Sequence, residues 1–420
     1  MSYLFNNRVS INETDAFGKI RVSEPFTLAD YSHVYGENPE LLTVLSGSGT
    51  VSNVVNQASI RLQVGAGSGD YAIHQSRMYH HYMPGKSQLV YESFCFGTAS
   101  TNNYKRIGYF DDRDGVYLQQ NPNGVLSFVQ RSYATGTQSE ISVTQSQWNI
   151  DKCDGTGKSN FNIDQLKTQL IFFDFQWLGV GRLRCGFVHD GQLVIANEFY
   201  HSNNLQTVYW SNPSLPIRCE IRNIGAGTTT CTMDQICATV ISEGGYEGSG
   251  IDFSKSTDLR TIATASFQLP AIAIRLKNTF NGYPNRTTIR PGQIDLLGQD
   301  NNIKYEVWRL PSSTSITGGS WVSAGADSSV EYNITATGWT SSGGNIFSNG
   351  FISASTGQGI GTSKSPVSEN LQTVTSSKRG YLSQNFDSTD SNVFVIVVTA
   401  LSVDGGGCNF RAAMQWRETR

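Results

Sequence analysis

The chain has 420 residues and is nearly neutral, because 31 Lys and Arg against 34 Asp and Glu give a net charge of −3 at pH 7. This length exceeds one ordinary hydrophobic core and suits two or three domains, and a charge near zero argues against nucleic acid or an anionic membrane as a partner. Only 15% of the residues are charged and 42 are glycine, which is typical of short strands joined by turns. We therefore expect an all-β protein.

The first 20 residues, "MSYLFNNRVSINETDAFGKI", have neither a basic start nor an apolar run, so no secretory signal is predicted. The longest apolar stretch, "LIFFDFQWLGVG", is interrupted by Asp174 and Gln176 and is too short for a membrane helix. These features predict a soluble protein. Its seven cysteines are odd in number and widely spaced, which favours reduced, buried thiols over a disulfide framework.

Residues 1–85 show little continuous apolar pattern, and aromatic residues are scattered through them. This pattern predicts an extended N-terminal arm followed by the first strands. We expect residues 1 to about 45 to lie against a neighbouring subunit, so that their deletion leaves a folded protein that cannot assemble. The candidate contact residues of this arm are Phe5, Phe17, Phe26 and Tyr31.

Strand signals become strong over residues 86–250. In "QLIFFDFQW", every second residue is apolar, which predicts a strand with one face in a core; these residues are Ile171, Phe173, Phe175 and Trp177. The zone is expected to form a β-sandwich. The polar, glycine-rich stretch at 243–260 predicts a linker or a long loop before a second sandwich.

The stretch "RCGFVHDGQLVIANEFYH", at 184–201, gathers two histidines and two carboxylates and raises the question of a catalytic or metal site. Asp190-Gly191 is a favoured pair for a two-residue type I′ turn, which predicts that His189 pairs with Gln192, Phe187 with Val194 and Leu183 with Glu198. At about 3.4 Å per residue, His189 and Glu198 would then lie roughly 20 Å apart. This hairpin is therefore predicted to be a core element with a polar tip.

Other candidate motifs lack an essential residue. The Gly-Lys-Ser triplet at 157–159 does not complete a phosphate-binding loop, because Lys152 stands where that motif needs glycine. Asp114-Gly115 within "FDDRDGVYLQQN" predicts a hairpin turn, with a looser calcium site as the alternative. Adjacent His80 and His81 point to opposite faces of a strand, which favours aromatic contacts over shared metal ligation. The sequence thus predicts no catalytic residue, metal or cofactor, and a protein that is not an enzyme.

The third zone, 266–420, is expected to be a second sandwich. Its last strand places alternate apolar residues on one face, namely Phe410, Ala412, Met414 and Trp416. Residues 311–392 are dominated by Ser, Thr, Gly and Asn, and the recurrence of apolar residues favours turn-rich β structure over a partly mobile insertion. Within this stretch Trp321 and Trp339 are the candidates for stacking on a sugar or a partner, although a lone tryptophan is more often part of a core.

Several stretches resemble a widespread family of virion structural proteins of tailed bacteriophages, often aquatic ones, and of some large DNA viruses. They are "TDAFGKIRVSEP" near the start, "QSRMYHHYMPGKSQLV" at 75–90, "DFQWLGVGRLRCGFVHDGQLVIANEFYHSNNL" at 174–205, "LPIRCEIRN" at 215–223 and "LPAIAIRLKN" at 269–278. The resemblance covers most of the chain in order. It implies a particle component built from sandwiches similar to laminin-G or lectin-like jelly rolls, and it carries no catalytic motif or binding residue across.

Two functions follow as expectations. The first is a structural virion protein, such as a capsid decoration, fibre or tail-associated component, which assembles in the host cytoplasm and joins copies of itself and other virion proteins through its arm and sheet edges. The second is a carbohydrate- or host-receptor-binding module of a phage fibre. The two can coexist, and neither involves nucleic acid or a membrane.

Overall fold

A computed structural model describes residues 24–245, 250–299, 301–353, 367–370, 380–403 and 407–420. The chain forms two compact units, Met1–Glu247 and Gly248–Arg420. Strands dominate both units, and the helical structure among the described residues is limited to 3₁₀ turns at Val55–Gln57, Gln145–Gln147 and Ser313–Ser315. The expected all-β class is confirmed. No helix in the described ranges is long and apolar enough to cross a membrane.

The first unit forms two antiparallel sheets from strands β1 to β15. Their bounds are β1 Pro25–Ser32, β2 Leu41–Ser46, β3 Thr50–Val54, β4 Ser59–Val64, β5 Tyr71–Ser76, β6 Gln88–Cys95, β7 Asn103–Phe110, β8 Gly115–Gln120, β9 Leu126–Ser132, β10 Ser139–Thr144, β11 Gln169–Phe175, β12 Leu183–His189, β13 Gln192–Phe199, β14 Ile217–Asn223 and β15 Cys231–Glu243. An eight-stranded sheet has the order β13-β12-β11-β6-β15-β4-β3, with β1 also on β15, and a seven-stranded sheet has the order β10-β9-β8-β7-β14-β5-β2.

These two sheets enclose one hydrophobic core. The alternation predicted for β11 is confirmed, since Ile171, Phe173 and Phe175 are fully buried in this core. The seven-stranded sheet contributes Ile107 and Phe128 from its own inward face. The ring centroids of Phe128 and Phe173 lie 6.2 Å apart across the interior. Two facing sheets with interdigitated side chains make this unit a β-sandwich of jelly-roll character.

The second unit is built from strands β16 to β30. Their bounds are β16 Ile251–Ser256, β17 Arg260–Ile262, β18 Gln268–Leu276, β19 Thr279–Phe280, β20 Tyr283–Pro284, β21 Thr288–Gln299, β22 Ile303–Leu310, β23 Ile316–Thr317, β24 Val322–Ser323, β25 Val330–Asn333, β26 Gly338–Trp339, β27 Asn345–Ile352, β28 Val367–Asn370, β29 Val393–Ala400 and β30 Cys408–Thr419. A five-stranded sheet has the order β16-β30-β21-β28, with β17 also on β30. A six-stranded sheet has the order β24-β25-β18-β29-β22-β27, and β19-β20 and β23-β26 form small pairs.

A second hydrophobic core lies between the five- and six-stranded sheets. The alternation predicted for the last strand is confirmed, because its four apolar residues face this core: Phe410, Ala412, Met414 and Trp416. The turn-rich β structure predicted from residue 311 onward is observed in strands β23 to β27. The predicted linker at 243–260 is not a continuous loop, since β16 pairs there with β30 and the Phe253 ring stacks on Trp416 at 6.2 Å.

The N-terminal zone contributes strands to the first sandwich. Strands β1 to β5 all lie between Pro25 and Ser76 and join its two sheets. Leu28, Tyr31 and Leu41 are buried in its core, so a deletion through residue 45 would remove part of that core. The expectation that such a truncated chain stays folded is therefore wrong.

Candidate functional site

The face of the seven-stranded sheet that points away from the core, hereafter the outer face, is rich in arginine and tyrosine. On β14, "IRCEIRN" alternates three core residues, Ile217, Cys219 and Ile221, with charged residues that take the other face. By the same alternation the sheet gathers four arginines and two glutamates on its outer face: Arg106, Arg131, Arg218, Arg222, Glu140 and Glu220. These six residues give the outer face a local excess of positive charge, although the net charge of the whole chain is −3.

Five half-buried side chains of the outer face form a continuous row, the tyrosine–arginine strip: Tyr71, Tyr104, Arg106, Gln119 and Arg222. Arg222 pairs in register with Tyr104 on one side and Tyr71 on the other, and Arg106 pairs with Gln119. Because neighbouring strands lie about 4.8 Å apart, the strip crosses four strands over about 14 Å.

Each arginine of the strip packs against a tyrosine ring. The Arg222 Cζ atom lies 4.8 Å from the centroid of the Tyr71 ring, and the Arg106 Cζ atom lies 5.7 Å from that of Tyr104. A guanidinium group is attracted to the face of an aromatic ring at such distances. These contacts limit the freedom of all four side chains, so the strip is preorganised.

Glu220 lies beneath the strip with 1% of its side chain exposed. Its Oε1 atom accepts hydrogen bonds from Arg222 Nε at 3.0 Å and Arg106 Nη1 at 3.2 Å, and its Oε2 atom lies 2.6 Å from Arg218 Nη2. Burial alone would raise the pKa of Glu220, but the surrounding guanidinium groups, that of Arg218 foremost, lower the pKa to about 2. The carboxylate is therefore ionised at neutral pH and positions both arginines of the strip.

The centre of the outer face is buried. Phe110, Tyr117 and Val129 form a small apolar cluster of their own there. The Cζ atoms of Arg218 and Arg131 lie 5.2 Å and 5.6 Å from the centroid of the Phe110 ring. Arg131 and Arg218 pack on this apolar cluster. The more exposed side chains of the outer face lie around it, towards the edges of the sheet.

Glu140, the other carboxylate of the outer face, has 34% of its side chain exposed. It accepts hydrogen bonds from Tyr117 Oη at 2.8 Å and from Arg131 Nε at 2.9 Å. Burial raises the pKa of Tyr117 to about 12, so this phenol stays protonated and acts as a donor. These two donors hold Glu140 in one orientation at the edge of the sheet.

The turn between β7 and β8 spans residues 111–114 and is not centred on Asp114-Gly115 as predicted, because Gly115 already pairs with Phe110 in the ladder. The Asp114 carboxylate accepts hydrogen bonds from the backbone N–H groups of Ser211 and Tyr133, which draws Asp114 into the turn. No group of three or more His, Cys, Asp or Glu side chains placed to hold a metal ion occurs in the part of the chain that the structure describes.

Of the sequence-predicted contact residues that the structure describes, two lie on β1 of the first unit and two lie in the second unit. Trp321 and Trp339 lie half-buried against a small apolar cluster beside the six-stranded sheet; the Arg275 Cζ atom covers the Trp321 ring at 4.4 Å, and Trp339 packs against Trp308 at 5.3 Å. In the first unit, Phe26 is 39% exposed on β1.

Of the other predicted arm contacts, Tyr31 is buried, and its hydroxyl group hydrogen-bonds His80 at 3.1 Å, so it contacts the core of its own chain. His80 also packs edge-on against the Tyr31 ring, which agrees with the aromatic contacts expected for this histidine. Phe5 and Phe17 lie outside the described residues.

Sequence reasoning missed the tyrosine–arginine strip. The signal was present in "IRCEIRN", where Arg218, Glu220 and Arg222 recur at every second position and must share one face of a strand. Nothing in the sequence shows that Tyr71, about 150 residues earlier in the chain, pairs with that strand. The strip exists only because β5 and β7 flank β14.

The chain matches no protein-family model and no curated protein. Solved structures with a similar fold include an endo-β-1,4-glucuronan lyase from Trichoderma reesei, at 12% identity and a TM-score of 0.32 over 51% of this chain and 95% of that one. Another is the CBM2 module of the Lactobacillus casei BL23 phage J-1 evolved Dit, at 9% identity and a TM-score of 0.35 over 54% of this chain and 99% of that one. A third is a β-1,3-glucanase from Mycobacterium marinum, at 9% identity and a TM-score of 0.31 over 53% of this chain and 99% of that one. At these identities the likeness concerns the fold.

These structures correct one expectation. The lack of a recognisable catalytic motif predicted a protein that is not an enzyme, yet a glucuronan lyase and a glucanase are among the proteins with similar folds. The prediction that the chain is not an enzyme therefore does not stand, because a motif search cannot see groups that a sheet assembles from distant strands. Glu140 and Glu220 share the outer face although 80 residues separate them in the sequence.

Proposed function

We propose that this chain is a glycan-binding component of a virus particle and that it binds the glycan along the tyrosine–arginine strip. The observation that carries the proposal is the row Tyr71–Arg222–Tyr104, in which two half-buried tyrosines flank an arginine on the outer face of a sandwich. The row continues through Arg106 to Gln119.

The chemistry of this row suits a sugar. Aromatic rings offer apolar faces against which the C–H faces of a pyranose pack, and the tyrosine hydroxyl groups remain available for hydrogen bonds. Guanidinium and carboxamide groups add further donors and an acceptor for ring hydroxyls. Arg106 Nε donates to Gln119 Oε1 at 2.9 Å, so Gln119 keeps its amide hydrogens turned to other partners. A site with few ways to rearrange loses little entropy on binding.

The placement in a virion rests on the family resemblance of the sequence. The particle role that it suggests is a tail-associated, fibre or capsid decoration protein that meets host surface glycans and assembles with copies of itself and with other virion proteins. Mass spectrometry of purified particles tests this placement, and absence of the chain from them would contradict it. Because β1 and β2 belong to the sandwich, the assembly test for the arm uses a deletion of residues 1–23.

Binding along the strip is tested by electrophoresis of the purified chain through gels that contain neutral or acidic polysaccharides. We expect at least one polysaccharide to retard the protein and the double variant Tyr71→Ala, Tyr104→Ala to lose that retardation. Tyr35→Ala is the matched control, since Tyr35 is a fully exposed tyrosine of the same unit outside the strip. Equal retardation of all three proteins would contradict the proposal. Chain-length analysis of the retarding polymer shows in the same experiment whether the protein also cleaves it.

A further inference from the structure

The terminal nitrogen atoms of Arg222 are hydrogen-bond donors that the strip leaves available to a ligand. Its Nε atom donates to Glu220 at 3.0 Å and its Cζ atom stacks over the Tyr71 ring at 4.8 Å. Its Nη1 and Nη2 atoms have no hydrogen-bond partner among the described residues, and 39% of its side chain is exposed. The guanidinium group is thus held by one edge and presents the other edge to solvent.

Arg106 has a related arrangement beside it. Its Nε atom donates to Gln119 and its Nη1 atom to Glu220, while its Nη2 atom has no partner in the described part of the chain. Because Arg106 and Arg222 both bond the Oε1 atom of Glu220, their donor nitrogens lie within about 6 Å of each other. Two guanidinium groups therefore converge on one small patch of the strip.

We propose that Arg222, assisted by Arg106, binds a carboxylate group of an acidic glycan, so that the preferred ligand is a polysaccharide that contains uronate residues. This inference rests on the proposed function of the strip. A guanidinium group presents parallel N–H donors in a plane and matches the two oxygen atoms of a carboxylate. Glu220 is a positioning residue, because it holds both donors without reaching the ligand.

The charge of the site favours an anion. Three guanidinium groups, those of Arg106, Arg218 and Arg222, surround the Glu220 carboxylate. Arg218 also pairs with Asp112 at 2.7 Å, so three positive charges meet two negative ones and one positive charge is left over at this point. A bound carboxylate would offset it. Because part of this attraction acts through solvent, binding of the acidic glycan should weaken as salt is added.

The experiment measures the affinity of the full chain for a uronate trisaccharide and for its carboxyl-reduced, neutral counterpart by titration calorimetry. We expect the wild type to bind the acidic form at least tenfold more tightly at low salt, and Arg222→Gln to bind both forms with similar, weak affinity. Arg222→Lys keeps the charge but not the planar fork, and it should recover only part of the preference. Circular dichroism confirms that each variant is folded.

Arg113→Gln is the matched control. Arg113 is also half-buried and stacks over a tyrosine ring, that of Tyr133, at 4.7 Å, but it lies in the turn at the other end of β7. Its removal lowers the charge equally and should leave the preference intact. A preference lost equally in Arg113→Gln would overturn the assignment to Arg222.

The remaining outcomes separate this inference from the proposed function. Equal binding of acidic and neutral trisaccharides, both lost in the Tyr71→Ala, Tyr104→Ala variant, would overturn the carboxylate site and leave glycan binding standing. Tighter binding of a sulfated oligosaccharide than of the uronate would assign the site to sulfate groups and would also overturn it. If no polysaccharide retarded the protein in the gel assay, both the glycan-binding function and the carboxylate site would be contradicted.

Discussion

The buried charge of Glu220 positions two arginines on the outer face. Its carboxylate is almost fully removed from solvent, yet guanidinium groups of Arg106, Arg218 and Arg222 surround it. A buried ion pair seldom adds much net stability over an apolar pair, but removal of one partner is costly because the other charges stay behind. The cluster therefore serves mainly to orient the two half-buried arginines of the strip, Arg106 and Arg222.

Substitution of Glu220 by Gln should lower the free energy of unfolding by about 3 kcal/mol at pH 7. The pKa of Glu220, about 2 in the folded protein, is below its value in an unfolded chain, so its contribution is complete above about pH 4.5 and is lost as the pH falls towards 2. Denaturant unfolding of both proteins from pH 7 to pH 3 checks this. The difference between them should shrink on acidification; a constant difference would contradict the account.

Asp252→Asn provides the comparison for that experiment. Asp252 forms an ion pair with Arg417 at 2.8 Å, but 62% of its side chain is exposed. Water and salt screen such a pair, so its loss should cost less than about 1 kcal/mol. An equally large effect at Asp252 would show that burial does not control the cost.

The pKa of Glu92 is shifted in the opposite direction from that of Glu220. Glu92 faces the core of the first sandwich, Gln235 is its only hydrogen-bond donor among the described side chains, and its Oε1 atom has no partner there. Burial raises the pKa of Glu92 well above the ordinary value, so its favourable contribution is complete below about pH 4.5 and is lost as the pH rises towards the folded-state pKa. Glu92→Gln should therefore be more stable than the wild type by about 1 kcal/mol or more at pH 8.

Thermal or denaturant unfolding of Glu92→Gln and the wild type at pH 5 and pH 8 measures this difference. The advantage of the variant should grow with pH, because only the wild type has to keep a buried carboxyl group protonated. An advantage that is absent at pH 8, or that is larger at pH 5, would show that Glu92 is solvated or paired in solution.

Residue type alone did not point to the tyrosine–arginine strip. Trp321 and Trp339 were selected as large aromatics in a polar stretch, but they pack on their own sheet. Tyr71 and Tyr104, which are ordinary in sequence, acquire a role because Arg222 lies between them. A side chain's neighbours across a sheet depend on strand order, which local sequence does not specify.

At the scale of elements, the hairpin of β12 and β13 shows what local chemistry can predict. Asp190 and Gly191 have φ angles of 49° and 73°, the left-handed values of a type I′ turn, and His189 pairs with Gln192 as predicted. The turn residues alone set the pairing near the tip. Sequence was sufficient there because the turn is local.

Farther from the turn the predicted pairing fails. A β-bulge shifts the register next to Gly186, and Leu183 pairs with Phe199 in place of the predicted Glu198. At Gly186 an added Cβ atom would lie 2.1 Å from the Val194 carbonyl oxygen and 2.8 Å from the Phe172 ring. The close approach is a tertiary feature, and it therefore escaped a prediction from alternation.

Gly191→Ala should destabilise the first unit by about 1 kcal/mol, because alanine resists the positive φ of this position although no atom lies within 4 Å of the new methyl group. Gly227→Ala is the matched control, since Gly227 has no left-handed φ and its nearest neighbour would be in ordinary contact at 3.5 Å. Thermal unfolding of both variants checks the prediction. Equal stability of the two would mean that the turn is not restrictive.

At the scale of the whole molecule, each unit has a core of its own. The residues of the first core belong to the strands before residue 247 and those of the second to the strands after residue 248. Composition predicted the β class and the number of sandwiches, because turn residues and alternation are spread over the whole chain. It missed β16, which contains few apolar residues and is held by β30.

A fragment that spans Gly248–Arg420 should fold alone, because its core residues contact one another and it contains both of its sheets. Circular dichroism and a cooperative unfolding transition of the purified fragment measure this. The full chain should then show a transition at the same denaturant concentration. A fragment without cooperative unfolding would contradict the independence of the two cores.

The most direct measurement of the central claim is a crystal structure of the chain with a uronate oligosaccharide. We expect sugar rings along Tyr71 and Tyr104, with one carboxylate on the terminal nitrogens of Arg222. Sugar bound elsewhere, for instance at Trp321 or Trp339, with the strip empty at saturating ligand, would contradict it.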